Sequence, residues 1–188
     1  MDWSVFFADP VLASAVAGCA ALIFFSAAWH KFSEPDTFAG ALDAYQLVPG
    51  ALVVLFARFL PVVEALIGVM VLIPATRPAG LAAFAAMVGI YTIAIATNLI
   101  RSRNQIDCGC GGDVHLLSWG LVVRNGLLVC IALAMAGPSV SRPYEWLDAI
   151  TLILGALALY GFYLTFDELL RQFGRIAQLQ NNKSGVPS

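Results

Sequence analysis

Two thiols separated by a single glycine are the feature of this chain that most directly suggests chemistry. They are Cys108 and Cys110, in the stretch DCGCGGDVH at residues 107–115. On oxidation, two cysteines at this spacing can close only a small, strained ring, and Gly109 relieves the backbone because it has no Cβ. A strained disulfide is easily reduced, so the spacing favours thiol–disulfide exchange over permanent bracing.

The surroundings of the pair also favour a reactive thiolate. The pair lies a few residues before a predicted helix, and Arg101, Arg103 and Arg124 are close in sequence. Positive charge and a helix N-terminus both stabilise a thiolate, which is the nucleophilic form of cysteine. The competing interpretation is a pair of ordinary loop cysteines.

A metal site is the second chemical interpretation of the same loop. Cys108, Cys110 and His115 would supply two soft ligands and one imidazole, a set that suits Cu(I) or Zn(II). A fourth ligand is not obvious, although Asp107 or Asp113 is near. One Cys-x-Cys with a downstream histidine is a weak metal signature, so we predict redox chemistry and no metal.

The elements that must position these residues are membrane helices. The 188 residues are 60% hydrophobic and only 12% charged, and the mean hydropathy is +0.84. Uncharged runs cover residues 10–29, 79–100 and 149–166, and apolar blocks with two charges and one charge cover 52–73 and 117–136. Each is about long enough to cross a hydrocarbon core of roughly 30 Å. We therefore predict an all-α membrane protein, a bundle of five helices or, at fewest, four.

The predicted organisation has three parts. Residues 1–9 are an N-terminal tail, 10–166 form the bundle with the Cys-x-Cys loop at 101–116, and 167–188 are an amphipathic or disordered tail. Residues 37–46 are expected to form a short surface helix. The other cysteines, Cys19 and Cys130, are expected to pack in the apolar core. No basic run exists to grip phosphates, which excludes nucleic acid as a partner.

Charged residues inside the spans are candidate site residues. Intramembrane charges are costly and face a partner or a cavity. Arg58 and Glu64 lie in the second predicted span and Arg124 in the fourth. Because the three charges lie at compatible depths in the predicted spans, we predict that Glu64 pairs with Arg124 or, failing that, with Arg58. Such a pair either holds the bundle together or lets Glu64 take and give protons while thiols oxidise. The candidate catalytic residues are then Cys108, Cys110, Glu64 and Arg124.

Five crossings place the thiol loop, the loop after the first helix and the C-terminal tail on one face. That face carries six lysines and arginines, namely Lys31, Arg101, Arg103, Arg171, Arg175 and Lys183. The opposite face has two, Arg77 and Arg142. The positive-inside rule makes the first face cytoplasmic.

Four stretches resemble a known family. HKFSEPDTFAGALDAYQLVP, ARFLPVVEALIGVMVLIP, DCGCGG and SWGLVVRNGLL are similar to sequences of the MauE family of methylamine utilisation proteins, relatives of the DoxX-type membrane proteins. The resemblance covers roughly residues 10–166. Its most specific parts are the Cys-x-Cys run and the run with Ser118, Trp119, Arg124 and Asn125.

The resemblance implies a multi-pass protein of the bacterial inner membrane that matures the small subunit of methylamine dehydrogenase. That subunit is periplasmic and rich in disulfides, and the family's usual partner is MauD, a membrane-tethered thioredoxin-like protein. The implied activity is disulfide formation or relay, with a quinone as the suggested electron acceptor. The resemblance therefore implies that the thiol loop faces the periplasm, whereas the count of lysines and arginines predicts that it faces the cytoplasm.

Two function classes stand at this point. The first is a membrane thiol–disulfide oxidoreductase or maturation factor. The second is a non-catalytic membrane scaffold, transport or metal-handling accessory protein of the same pathway.

Overall fold

A computed structural model describes residues 9–103, 106–108, 116–137 and 146–183, with side chains to Phe173 and at Ile176. Six helices account for most of these residues: α1 Pro10–Ser33, α2 Pro35–Ala44, α3 Gly50–Leu72, α4 Arg77–Ile100, α5 Trp119–Met135 and α6 Trp146–Lys183. Within the described ranges the only β-type pairing is one isolated bridge, Asp107 to Leu116.

The helices begin where the sequence offers a cap or a proline. At α1, the Asp9 carboxylate accepts hydrogen bonds from the backbone N–H groups of Val11 (2.7 Å) and Leu12 (3.4 Å), and Pro10 occupies the first turn. Pro35 likewise opens α2. Ser118 takes the N-cap position of α5, as its residue type predicts, but its side chain makes no capping hydrogen bond.

The all-α membrane architecture is confirmed. Helices α1, α3, α4 and α6 are long and apolar enough to cross a bilayer, and α5, with 17 residues, is shorter. Large apolar side chains point outward from several helices, among them Leu55 (59% exposed), Ile93 (68%), Val123 (60%) and Phe162 (72%). In water such faces would be open hydrophobic patches, whereas in a bilayer they meet lipid.

Helix α1 is the central element, because it packs against both α3 and α6. Small residues let the backbones approach: a Cβ added at Gly18 would lie 2.9 Å from the Ala156 Cβ. On the α3 side, Gly68 lies against the ring of Phe25. Close contact through glycine and alanine is the usual basis of helix packing in membranes, where no hydrophobic force draws helices together.

The three segments predicted to share a face do share one. Tyr45, which follows α2, is packed in one buried cluster with Leu117 and Leu121, and Cys108 and Leu170 of α6 lie against that cluster. The thiol loop, the α2–α3 link and the second half of α6 therefore meet at the same end of the bundle, as five alternating spans require.

Two predicted boundaries were wrong. The first span was expected to end at residue 29, but α1 continues to Ser33 and carries Lys31 into the bundle. The fifth was expected to end at residue 166, before an amphipathic or disordered tail, but α6 runs unbroken through Lys183. Both extensions contain a charged residue, Lys31 and Asp167, that meets an opposite charge inside the protein. A paired charge does not end a membrane helix.

Candidate functional site

A cavity of about 260 Å³ lies inside the bundle, next to the thiol loop. Side chains from all six helices and Cys108 line it, and most of its wall is aliphatic or aromatic. The residues on the wall with polar side chains are Lys31, Glu64, Arg124, Asn125 and three tyrosines, Tyr45, Tyr91 and Tyr163. Three of the four predicted catalytic residues, Cys108, Glu64 and Arg124, thus border one space, and the fourth, Cys110, lies outside the described residues.

The first polar group of the cavity is built on Glu64. The Lys31 ammonium donates to Glu64 Oε1, and the Tyr91 hydroxyl donates to the same oxygen over 2.7 Å. The Lys31 and Glu64 side chains are only 3% and 1% exposed. Lys31 Nζ also lies 5.0 Å from the ring centroids of Phe38 and Tyr91. Two aromatic faces and a carboxylate therefore surround the ammonium, an arrangement that compensates a charge withdrawn from water.

The second carboxylate oxygen of this group is left unsatisfied. Glu64 Oε2 is buried and has no hydrogen-bond partner among the described residues. A buried acceptor without a donor is uncommon, because its desolvation is not repaid. Since Glu64 also lines the cavity, a hydrogen-bond donor on a molecule bound in the cavity would satisfy Oε2.

The predicted partners of Glu64 were wrong. Arg124 pairs with Asp167 instead, and Arg58 is exposed on the outside of α3. Positions 58 and 64 differ by about 120° around a helix, so turning Glu64 inward turns Arg58 out.

Lys31 reaches Glu64 because the helices are offset. Gly68 faces Phe25 and Glu64 meets Lys31, so the first three turns or so of α3 extend past the end of α1, where α2 packs on them. Lys31, in the last turn of α1, is consequently buried, whereas Trp29 and Phe32 at the same end of the helix are 72% and 53% exposed. Helix α2, predicted as a surface helix, contributes Phe38 and Leu42 to the cavity wall.

The second polar group joins α5 to α6. Arg124 Nη1 donates to Asp167 Oδ1, while Arg124 Nε and Nη2 donate to Asn125 Oδ1 at 3.1 and 3.0 Å. The guanidinium also lies over the Tyr163 ring, with Cζ 5.1 Å from the centroid. Arginine is suited to this role because its planar fork can serve several acceptors at once. The arrangement holds the positive charge at the cavity wall in one orientation.

The thiol loop is anchored at its base. Asp107 and Leu116 form an antiparallel bridge, and the Leu117 N–H donates to the Ile106 carbonyl over 3.1 Å. The Tyr45 hydroxyl donates to the Cys108 carbonyl oxygen over 3.1 Å. These contacts fix Cys108 beside the cavity at the mouth of the loop. The residues that the alternative metal interpretation would use besides Cys108 and Asp107, namely Cys110, His115 and Asp113, lie outside the described residues.

The two remaining cysteines are apart from this site. Cys19 is buried in the α1 core, as expected, but Cys130 is exposed on the outer face of α5 rather than packed inside. Neither lines the cavity. Both serve as internal controls for thiol chemistry at Cys108.

Sequence reasoning missed three residues of the site: Lys31, Tyr91 and Asp167. Two of them left a signal. Lys31 and Asp167 each follow directly on a long uncharged run, within sequence that can continue as helix. A charge at such a place is as compatible with an internal partner as with the membrane surface. Tyr91 had no such signal, because an aromatic residue in a membrane helix is most often packing.

Comparison with known proteins gives a consistent family match. The family model described as methylamine utilisation protein MauE matches residues 9–137. A methylamine utilization protein MauE of Paracoccus denitrificans is 36% identical over 159 residues, which is 82% of this chain and 85% of that protein. One from Methylophilus methylotrophus is 36% identical over 168 residues, 85% of this chain and 86% of its own length. No solved structure matches the chain.

Proposed function

Because the chain belongs to the MauE family of methylamine utilisation proteins, we propose that it is an accessory membrane protein of methylamine utilisation that acts by thiol–disulfide exchange at Cys108 and Cys110. Its client would be the small subunit of methylamine dehydrogenase, a periplasmic protein rich in disulfides. Its partner would be a MauD-like thioredoxin-fold protein, and its place the bacterial inner membrane.

The observation that carries this proposal is the position of Cys108. Its backbone is held by Tyr45, and it borders a cavity that also holds a buried acid–base group, Glu64 with Lys31. Thiol exchange needs an accessible sulfur and a means of moving protons. A loop held at its base, with Cys108 at the edge of the cavity, supplies the first requirement, and the buried Glu64 carboxylate supplies the second.

The exchange oxidises two thiols of the partner and reduces the disulfide of Cys108 and Cys110, so this step needs no other oxidant. A partner thiolate attacks the Cys108–Cys110 disulfide, one S–S bond breaks while a mixed disulfide forms, and the released sulfur takes a proton. A second partner thiol then resolves the mixed disulfide. The partner gains a disulfide, and Cys108 and Cys110 become a dithiol.

A periplasmic client requires the exchange face to be periplasmic, although the charge count predicted the cytoplasm. The structure weakens that count, because Lys31 is 4% exposed and ion-paired inside the bundle. Arg101 and Arg103 belong to the thiol loop, where positive charge would stabilise a thiolate. The remaining excess of positive charge on this face comes from Arg171, Arg175 and Lys183, all within α6.

Client maturation tests the proposal. In a host that makes methylamine dehydrogenase, Cys108→Ser and Cys110→Ser should each leave the small subunit without its full set of disulfides, with the membrane protein present at normal level. Cys130→Ser is the matched control, since this thiol faces outward and lines no cavity. Normal client disulfides in both single variants would show that the protein acts as a non-catalytic scaffold instead.

A further inference from the structure

We propose that the cavity beside Cys108 is the binding site for a membrane quinone, held by Lys31 and Glu64, that accepts the electrons of the thiol pair. The inference rests on the proposed thiol exchange and names the oxidant that such exchange requires. It is carried by the cavity's size, its unsatisfied carboxylate oxygen and its opening toward lipid.

The size of the cavity suits one substituted ring. At roughly 30 Å³ of liquid volume per water, about 260 Å³ corresponds to eight or nine water-sized groups. The wall is almost wholly apolar and includes the rings of Phe24, Phe56 and Tyr163. A space of this kind favours a flat, apolar body with few polar atoms over a cluster of waters.

The polar end of the cavity matches both redox states of a quinone. Glu64 Oε2 is a buried acceptor with no donor among the described residues, and a hydroquinone hydroxyl would supply that donor. Lys31 presents an ammonium at the same place, and a quinone carbonyl would accept from it. A phosphodiester group and an acyl chain both lack a donor that could satisfy Glu64 Oε2.

The cavity is reachable from the bilayer. Phe56 of α3 and Ile90 of α4 line it and are also 41% and 62% exposed on the outer surface of the bundle. Leu47, in the α2–α3 link, lines it and is 42% exposed. A ligand with a long apolar tail could therefore place its ring inside while its tail stays in lipid.

The redox step balances with this acceptor. The dithiol of Cys108 and Cys110 loses two S–H bonds and forms one S–S bond, releasing two electrons and two protons. Those electrons and protons convert a quinone into a hydroquinone. Glu64, with Lys31 and Tyr91 on its other oxygen, is placed to hold and pass a proton during the transfer.

Binding is measured apart from turnover, with the full-length protein in nanodiscs free of native quinone. The probe is decylubiquinone, in oxidised and reduced form, and the readout is a saturation isotherm of bound probe. Ala41→Trp should weaken binding of both forms at least about tenfold, because Ala41 lines the cavity and the new ring would fill it. Ala86→Trp is the matched control on the exposed face of α4 and should bind normally.

Glu64→Gln separates the role of the carboxylate. Loss of a hydrogen bond to a charged group is typically worth a factor of about ten or more, so this variant should lose affinity for the reduced probe more than for the oxidised one. Ala41→Trp keeps the test decisive if Glu64→Gln does not fold. Cys130→Ser, at an exposed thiol that does not line the cavity, should bind as wild type.

Three results would overturn the inference. One is the absence of saturable binding while Cys108 and Cys110 still cycle. Another is unchanged binding in Ala41→Trp. The third is equal displacement of the probe by dodecanol, which has an apolar chain and a hydroxyl but no ring, because the cavity would then be a general lipid pocket.

Discussion

Lys31 of α1 and Glu64 of α3 form an ion pair inside a membrane bundle, with both side chains almost completely withdrawn from solvent. The Tyr91 hydroxyl completes the group by donating to the same carboxylate oxygen. Burying either charge alone is strongly unfavourable, whereas the pair with its hydrogen bond and aromatic neighbours is tolerable. The pair therefore ties the end of α1 to the middle of α3 and shapes the cavity that both residues line.

The first prediction concerns this pair. Lys31→Met and Glu64→Gln should each lower the free energy of unfolding by about 3–5 kcal/mol, because each strands the opposite charge. The double variant should recover part of that loss, since no uncompensated charge remains. Thermal unfolding in detergent gives the three values, with Glu168→Gln, at an exposed residue of α6, as control. Strictly additive losses would show that the two charges do not interact.

The second prediction concerns Arg124. Arg124→Gln should destabilise the protein more than Asp167→Asn does, because the arginine serves both Asn125 and Asp167. After Asp167→Asn the guanidinium keeps its two hydrogen bonds to Asn125, and Asp167 is the more exposed partner. Unfolding temperatures of the two variants in one detergent test this order. Equal losses would mean that the Asn125 contacts contribute nothing.

The third prediction compares two glycines of α4. A Cβ at Gly80 would lie 2.8 Å from the Val71 backbone nitrogen, whereas a Cβ at Gly89 would meet nothing within 4 Å. Gly80→Ala should therefore cost about 1–3 kcal/mol through a forced shift of α3 against α4. Gly89→Ala should be neutral or should stabilise by up to about 1 kcal/mol, as expected in a helix. Similar effects at the two positions would contradict the close α3–α4 packing.

The fourth prediction concerns sidedness. Because Cys108, Tyr45 and Leu170 belong to one cluster, the thiol loop and the C-terminus must lie in the same compartment. A compartment-specific reporter fused after Ser188 locates the C-terminus. In cells that carry a variant without Cys19 and Cys130, a membrane-impermeant thiol reagent applied after reduction locates the thiol loop. The two should be found on the same side of the membrane. A periplasmic result agrees with the proposed client, and a cytoplasmic one agrees with the charge count. Opposite sides would exclude the five-span arrangement.

The helices could be predicted from sequence because their signal is local. An uncharged run such as residues 79–100 is long enough to span a bilayer whatever surrounds it, and α4 is found there. The shared face of the thiol loop and the tail followed from counting spans. Both predictions depend on hydrophobicity and chain order alone.

The partners of the buried charges could not be predicted in the same way. Whether Glu64 meets Lys31 or Arg124 depends on how each helix is rotated and on where α1 ends relative to α3, which no local pattern specifies. Lys31 was assigned to the membrane surface because a lysine at a span's end is usually there. The cavity was also missed, because its wall includes α2, whose contacts with α3 arise only in the folded bundle.

The redox state of Cys108 and Cys110 in living cells tests the proposed thiol exchange most directly. Cells carrying the protein without Cys19 and Cys130 are quenched in acid, and free thiols are tagged with a mass-shifting maleimide with and without prior reduction. If Cys108 and Cys110 exchange disulfides, a substantial fraction of the protein should take two tags only after reduction. This fraction should grow when the thioredoxin-fold partner is deleted, since reduced partner no longer consumes the disulfide. Complete tagging of both Cys108 and Cys110 without reduction, in every condition, would contradict the proposed exchange.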